Sequence, residues 1–295
     1  MTDTWILLSF LSAFGQALGW ALKKRTLENK GINNTLGLVS FFTAGVILFL
    51  LWGLTEVNRL PSMSPRFILA SLVVIGVNIL AVWAIYRVLD QAALSVLMPF
   101  VAVTALFVVP IEYVLRGVLP NVFQVYGIAL VVTGATFFAT IKRPTKEVLT
   151  VAGYFATALL CYSIAPPFQA VAVEESGSGL FSAAVFHIGI AMGFFLFRFL
   201  YTESQSIGTL QEKGEWGKTI LLMVAAGAVL ALFENGPATV ALESAKASEV
   251  FSLKRTMPLF ALILGIWMFR EKVTIRHFFG TTLLVGGSIL IVWFR

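Results

Sequence analysis

The feature that most constrains this chain is the recurrence of long apolar runs from end to end. Each run holds about 20 residues, which in helical form matches the roughly 30 Å hydrocarbon core of a bilayer. Only 12% of the 295 residues are charged, against about 25% in soluble domains, and the mean hydropathy is +0.90. The runs lie at 5–22, 36–55, 67–86, 94–115, 122–141, 148–172, 180–201, 219–242, 250–269 and 277–294. We therefore predict an all-α integral membrane protein with ten transmembrane helices.

A weak internal repeat relates the two halves of the chain. Residues 89–134 align with 242–287 without a gap, and this register places GIALVVTG over GTTLLVGG. Equivalent helices are then five helices apart, so their directions across the membrane are opposite. Inverted repeats of this kind build secondary transporters. We predict two inverted five-helix repeats, at residues 1–144 and 145–295. The paired glycines are also typical of close helix packing, which needs no functional role.

Two adjacent cations, Lys254 and Arg255, interrupt the ninth apolar run. Each costs about 2.5 to 3.5 kcal/mol at a helix centre, so the pair indicates a watery cavity, a partner carboxylate or an anionic ligand. Pro258 adds free backbone polarity, because it leaves the carbonyl of Lys254 without its helical donor. An ammonium beside a guanidinium suits carboxylate or phosphate. The alternative is that both side chains extend to the lipid headgroups, since they lie roughly 7 Å from the start of the helix.

The eighth run carries the acid Glu234 and the amide Asn235 near its middle. Pro237 frees the carbonyl of Phe233, which favours the discontinuous type of helix found at transporter binding sites. Three roles are open for Glu234: a counter-ion to the cationic pair, a titrating group that couples proton flow to cargo, or a static ion pair. One acid facing two cations leaves a positive excess, and this favours an anionic cargo.

Further polar residues inside the runs are candidates for the wall of a cavity. They are Gln16 and Trp20 in the first run, Asn78 and Tyr86 in the third, and Tyr162 in the sixth. Each of them could instead form an interhelical hydrogen bond or mark the membrane interface.

Three other features of the sequence lead to structural predictions. His187 has no second histidine at metal spacing, so neither a metal site nor a cofactor is predicted. Glu112 and Arg116, four residues apart, predict a surface ion pair. The dipeptide Pro166-Pro167 predicts a break in the sixth helix, as a hinge or as a packing kink.

The segment PLFALILGIWMFREKVTIRHFFGTTLLVGGSILIV (258–292) resembles the ninth helix, the short loop with a glutamate (here Glu271) and the glycine-bearing tenth helix of EamA-type members of the drug/metabolite transporter superfamily. This resemblance implies ten helices made from two five-helix repeats. The pair Lys254-Arg255 is also similar to the Lys-Arg of the triose-phosphate and nucleotide-sugar translocators, a branch in which the pair binds substrate phosphate. Family members usually carry both termini in the cytoplasm, whereas the loop charges place them outside, so orientation is left open.

These features favour a secondary transporter, coupled to protons or to exchange, that moves a small organic anion or phosphorylated metabolite by alternating access. The alternatives are an exporter of drugs or amino acids and a lipid-phosphate flippase. An enzyme is not expected, because nucleophiles, paired carboxylates and metal ligands are scattered singly. No basic patch indicates nucleic acid. We expect a monomer or homodimer in a lipid bilayer, most simply the cytoplasmic (inner) membrane of a prokaryote.

Overall fold

The computed structural model describes residues 4–27, 32–56, 60–89, 101, 104–117, 119–137, 146–200, 214–270 and 274–293. Within these ranges the chain is all-helical and contains no strand. Seven of its helical spans are long and apolar enough to cross a membrane. This architecture fits the predicted all-α membrane protein. Much of the fourth predicted helix and Glu271 lie outside the described residues, and the count of ten helices stays a prediction.

The helices follow the predicted runs closely. In chain order they are α1 (Thr4–Leu27), α2 (Asn33–Thr55), α3 (Pro65–Leu89), α4 (Ala105–Arg116), α5 (Val122–Thr136), α6 (Lys146–Ser176), α7 (Gly179–Leu200), α8 (Trp216–Val229), α9 (Gly236–Ala241), α10 (Ala247–Lys254), α11 (Met257–Phe269) and α12 (Ile275–Trp293). A π-helical turn, Leu230–Asn235, joins α8 to α9.

Two of the predicted spans are interrupted at the positions that their prolines indicate. In the eighth span the π-turn precedes Pro237, which lies in the first turn of α9. In the ninth span α10 ends at Lys254, and α11 begins at Met257 with Pro258 in its first turn. Proline has no N–H and cannot complete the helical ladder, so each interruption has a local cause. By contrast, α6 continues through Pro166 and Pro167, and the predicted break of the sixth helix is wrong.

Pairs of helices from opposite halves form the body of the structure. Helix α2 packs along α7, α3 along α6, and α5 along α12, while α1 contacts α8, the π-turn, α9, α10 and α11. Glycines bring α5 and α12 into backbone contact: a Cβ on Gly134 would lie 2.7 Å from the carbonyl of Gly280, and one on Gly287 would lie 2.5 Å from that of Gly127. The glycines of the sequence repeat therefore pack reciprocally against each other.

Several ion pairs lie at one end of the bundle, and two of them join the halves. The Arg116 side chain bonds Glu112 at 3.0 Å and Glu174 at 3.3 Å, and Glu175 bonds Arg66 at 3.2 Å. The side chain of Glu112 is only 1% exposed. The sequence therefore predicted the pairing of Glu112 with Arg116 correctly but not its location, because Glu112 is buried against α10 and does not lie on the surface.

Candidate functional site

The two helix interruptions face the same internal cavity, which measures about 60 Å³. Its wall is made by α1, α2, α3, α6, α7, the π-turn and α10. The lining residues are Gln16, Trp20, Lys23, Phe41, Asn78, Val82, Tyr162, Ala165, Pro166, Gln169, Phe186, His187, Ile190, Leu230, Glu234, Asn235, Phe251, Lys254 and Arg255. A cavity of this size holds a few water molecules, whereas ligand pockets measure roughly 300 to 1,000 Å³. The space in this structure is therefore too small for a metabolite.

Lys254 is held by both polar residues of the π-turn. Its Nζ donates to Glu234 Oε1 at 3.4 Å and to Asn235 Oδ1 at 3.4 Å. A π-turn closes its hydrogen bonds over one more residue than an α-helix, so neighbouring side chains are separated by a smaller rotation. Two consecutive residues can then reach the same amine. The irregular backbone thus explains how Glu234 and Asn235 converge on Lys254.

A hydrogen-bond chain continues from Asn235 to α7. Asn235 Nδ2 lies 3.0 Å from His187 Nε2, and His187 Nδ1 lies 2.6 Å from the carbonyl oxygen of Ala183. A carbonyl can only accept and an amide nitrogen can only donate, so Nδ1 carries the proton and Nε2 is the acceptor. Only a neutral imidazole satisfies both contacts. His187 therefore orients Asn235, whose oxygen in turn holds Lys254.

Lys23 is a third cation at the cavity. It lies just beyond the first apolar run, which spans 5–22, but α1 extends to Leu27 and Lys23 is only 4% exposed. Its Nζ lies 5.3 Å from the ring centroid of Phe41, and Phe41 stacks on His187 with centroids 5.6 Å apart. A cation above an aromatic face is favourable, and more so when desolvated. The cavity thus has cations on two sides.

Four buried polar atoms of the predicted site residues have no hydrogen-bond partner among the residues that the structure describes. They are Gln16 Oε1, Tyr86 Oη, Glu234 Oε2 and Arg255 Nε. Such atoms are rare in native structures, because an unpaired buried polar group costs about 1–3 kcal/mol. Arg255 is only 3% exposed, as is Lys254, so neither side chain extends to the headgroups. Three of these atoms, those of Gln16, Glu234 and Arg255, belong to residues that line the cavity.

The structure brings together every predicted site residue except one. Lys254, Arg255, Glu234, Asn235, Gln16, Trp20, Asn78 and Tyr162 all line the cavity. Tyr86 lies behind this wall: it is 1% exposed and its ring is 6.1 Å from that of Phe194. The amide nitrogen of Asn78 donates to the carbonyl of Val74 within α3, which uses one of its two N–H groups.

Among the described residues no group of three His, Cys, Asp or Glu side chains could hold a metal ion. The chemistry of the site is that of cations, amides and aromatic rings around one carboxylate, which is suited to binding.

The fold is shared with proteins of solved structure. Twenty-eight chains match. One crystal structure of a protein superposes with a TM-score of 0.71 over 97% of this chain and 98% of its own, at 15% identity. At that identity the likeness concerns the fold alone. No curated protein matches the sequence.

A comparison with models of protein families adds information beyond the fold. Residues 149–293 match the EamA-like transporter family, whose members are membrane transporters and not enzymes. The matched region includes the π-turn, the interrupted ninth span and the whole of α12. Together with the seven apolar spans among the described residues, the match supports a multi-pass integral membrane protein whose second half is similar to the EamA-like transporter family.

Proposed function

We propose that this protein is a secondary transporter that carries a small organic anion, such as a carboxylated or phosphorylated metabolite, through the central cavity. The observation that carries the proposal is the charge around the cavity. Lys23, Lys254 and Arg255 supply three positive charges, and Glu234 supplies one negative charge. The balance is two positive charges at a site shielded from water. A bound anion would offset this excess, and the unpaired Nε of Arg255 would donate to it.

Alternating access is supported by the size of the cavity and by the packing of the halves. A space of about 60 Å³ does not admit a metabolite, so cargo enters only if the helices around it separate. The reciprocal contacts of Gly134 with Gly280 and of Gly287 with Gly127 are those expected of two halves related by a pseudo-two-fold axis. In inverted-repeat transporters the halves rock around a central site. We assign these halves to residues 1–144 and 145–295.

The source of energy follows from what the sequence contains. It has no GxxxxGK[ST] loop, so the chain has no P-loop with which to hydrolyse ATP. The drive is then a proton gradient or exchange against a second anion. A proton-coupled carrier predicts that Glu234→Gln binds cargo but loses accumulation driven by a pH gradient. Unchanged pH dependence in that variant would argue against coupling through Glu234.

The direct test is uptake of radiolabelled anions by purified protein in proteoliposomes. Inorganic phosphate, glycerol 3-phosphate and succinate are suitable probes, chosen first by their effect on the melting temperature, because a ligand that binds the folded form stabilises it. Arg255→Ala should abolish uptake, whereas Arg198→Ala, which removes an exposed arginine of α7 outside the cavity, should not. Full uptake by a folded Arg255→Ala protein would contradict the anion site.

Export of drugs or amino acids is the alternative that the EamA-like match equally allows. Cationic drugs are disfavoured by three cations at the cavity. Competition of labelled anion uptake by phosphate esters and by lipophilic cations distinguishes the two cargo classes. A lipid-phosphate flippase would instead move labelled phospholipid between leaflets of the same vesicles, which a fluorescence-quenching assay measures.

A further inference from the structure

The carboxylate of Glu234 occupies the place at Lys254 that a cargo anion would take. Glu234 is 4% exposed and Lys254 is 3% exposed, so their contact is removed from solvent. Among the described cavity residues Glu234 is the only acid, and it pairs with Lys254. The protein without cargo thus already carries one internal anion at its cationic site.

From this arrangement we infer that Glu234 is a surrogate for the cargo, which neutralises Lys254 while the empty carrier changes orientation. The inference rests on the proposed transport function. It assigns to Glu234 a role in the return step of the cycle, and it favours net transport over obligatory exchange.

The physical reason is the cost of moving an unpaired buried charge. When the halves rock, the site must pass through a state closed to water on both sides, and an isolated ammonium there has neither hydration nor a partner. A bound cargo anion removes this cost for the loaded carrier. For the empty carrier only a protein carboxylate can do so. Glu234 lies where this is needed, since its Oε1 is 3.4 Å from Lys254 Nζ.

The carboxylate of Glu234 must also leave Lys254 easily when cargo binds, and its contacts are weak enough for this. The bond that Glu234 accepts from Lys254 is long, at 3.4 Å, whereas ammonium–carboxylate bonds of full strength measure about 2.7–2.9 Å. Its second oxygen, Oε2, has no partner. This oxygen faces Gly19 of α1, where even an added Cβ would be 3.5 Å away. The glycine leaves space into which the carboxylate can turn when cargo binds Lys254.

Lys23 offers the displaced carboxylate a second cation. It lines the same cavity one turn beyond Gly19 on α1. When cargo binds the cationic pair, Glu234 can turn towards Lys23 without leaving the site or becoming an isolated charge. The three cations would then be shared between one internal and one transported anion.

The experiment compares two fluxes through the same protein. Proteoliposomes loaded with unlabelled glycerol 3-phosphate report exchange, and vesicles without it report net uptake, with the membrane potential clamped by potassium and valinomycin. For the wild type we expect both fluxes. For Glu234→Gln we expect exchange within about threefold of the wild type and net uptake lower by about tenfold or more. The empty variant carries one more uncompensated buried charge than the empty wild type, whereas in the loaded carrier the cargo anion offsets that charge.

Anion binding gives a second, independent measurement. Removing the competing carboxylate should make glycerol 3-phosphate raise the melting temperature of Glu234→Gln more than that of the wild type. Glu249→Gln is the matched control, since Glu249 is a buried acid on α10 that bonds Gln124 and is absent from the described cavity lining. It should leave the ratio of exchange to net uptake unchanged. If Glu234→Gln does not fold, the double variant Glu234→Gln/Lys254→Gln also removes the isolated ammonium, and its ratio of net uptake to exchange should match that of the wild type. A lower ratio in the folded double variant would reject the surrogate role.

Every other outcome rejects either the surrogate role of Glu234 or the proposed transport function. Equal loss of exchange and net uptake in a folded Glu234→Gln protein would show that Glu234 holds cargo, and the surrogate role would be rejected. Retention of both fluxes, or a wild type that only exchanges, would also reject it while leaving the anion transporter intact. A wild type that moves none of the probe anions in either assay would instead remove the proposed function itself.

Discussion

The carboxylate of Glu112 accepts the backbone amide of Ser248 at 2.8 Å, although 136 residues separate the two along the chain. Its other oxygen accepts the amide of Ala247 at 2.9 Å. These amides open α10, the short helix that carries Lys254 at its other end. A negative charge at a helix N-terminus satisfies orphan N–H groups and complements the helix dipole. Helix α4 of the first half thereby fixes the element that presents the cationic pair.

Glu112→Gln should destabilise the protein substantially. The amide retains one acceptor, but its NH₂ group is directed at a backbone donor or at Arg116, and a charge-assisted bond is lost. We expect a loss of about 1.5–3 kcal/mol, measured as a lower melting temperature in detergent.

The control for this change is Glu174→Gln, which removes the other carboxylate at Arg116. The side chain of Glu174 is 65% exposed, and exposed ion pairs contribute about 0–1 kcal/mol. Similar melting temperatures for the two variants would show that the buried cap on α10 has no special importance.

Two glycine substitutions test the reciprocal packing of α5 and α12. Gly134→Ala places a methyl 2.7 Å from the carbonyl of Gly280, and Gly287→Ala places one 2.5 Å from that of Gly127. Each should force the helices apart, and we expect a destabilisation of about 1–3 kcal/mol from overpacking. Because the contacts are reciprocal, the two losses should be similar.

Gly286→Ala is a control in the same helix. An added Cβ there would meet no described atom within 4 Å, and replacing an open helical glycine by alanine gains up to about 1 kcal/mol. Thermal unfolding of the three variants gives the comparison. A loss at Gly286 equal to that at Gly287 would indicate a general intolerance of α12 and not a contact with α5.

Much of the fold could be predicted from the sequence alone. A chain that crosses a bilayer needs long apolar helices, and these can be recognised as runs of hydrophobic residues. The two interruptions could also be located, since Pro237 and Pro258 remove helical donors. The π-helical form of the first interruption could not, because it depends on backbone packing against α1. Nor could the continuity of α6 through its two prolines, which the surrounding helices must stabilise.

The site was predicted less completely than the fold. Lys23 is not among the predicted site residues, because it lies just past the end of the first apolar run and precedes two more basic residues. A signal was nevertheless present, since Gln16, Trp20 and Lys23 are spaced i, i+4, i+7 and share one face of α1. The bonds of His187 to Asn235 and of Glu112 to α10 join distant parts of the chain. No local pattern encodes such contacts, so a single sequence cannot reveal them.

Gly15→Ala should disturb the π-turn. Gly15 lies directly against the carbonyl of Phe233, and a methyl there would overlap that group. We expect lower anion uptake together with a lower melting temperature, because Glu234 follows Phe233 and would move with it. Gly19→Ala, one turn further along α1, creates only an ordinary contact of 3.5 Å with Glu234 Oε2 and should fold normally. Equal tolerance of both substitutions would argue against close packing of α1 on the π-turn.

His187→Phe tests the hydrogen-bond chain that orients Asn235. The ring can still stack on Phe41, but Asn235 Nδ2 loses its acceptor in a buried place, and we expect a loss of about 1–3 kcal/mol. Replacing both partners by apolar groups avoids the unpaired donor, so His187→Phe/Asn235→Leu should be less destabilised than the sum of its single changes. A double-mutant cycle of melting temperatures measures this coupling. Strict additivity would mean that His187 stabilises α7 without positioning Asn235. His187 would then have no influence on Lys254 through the side chain of Asn235.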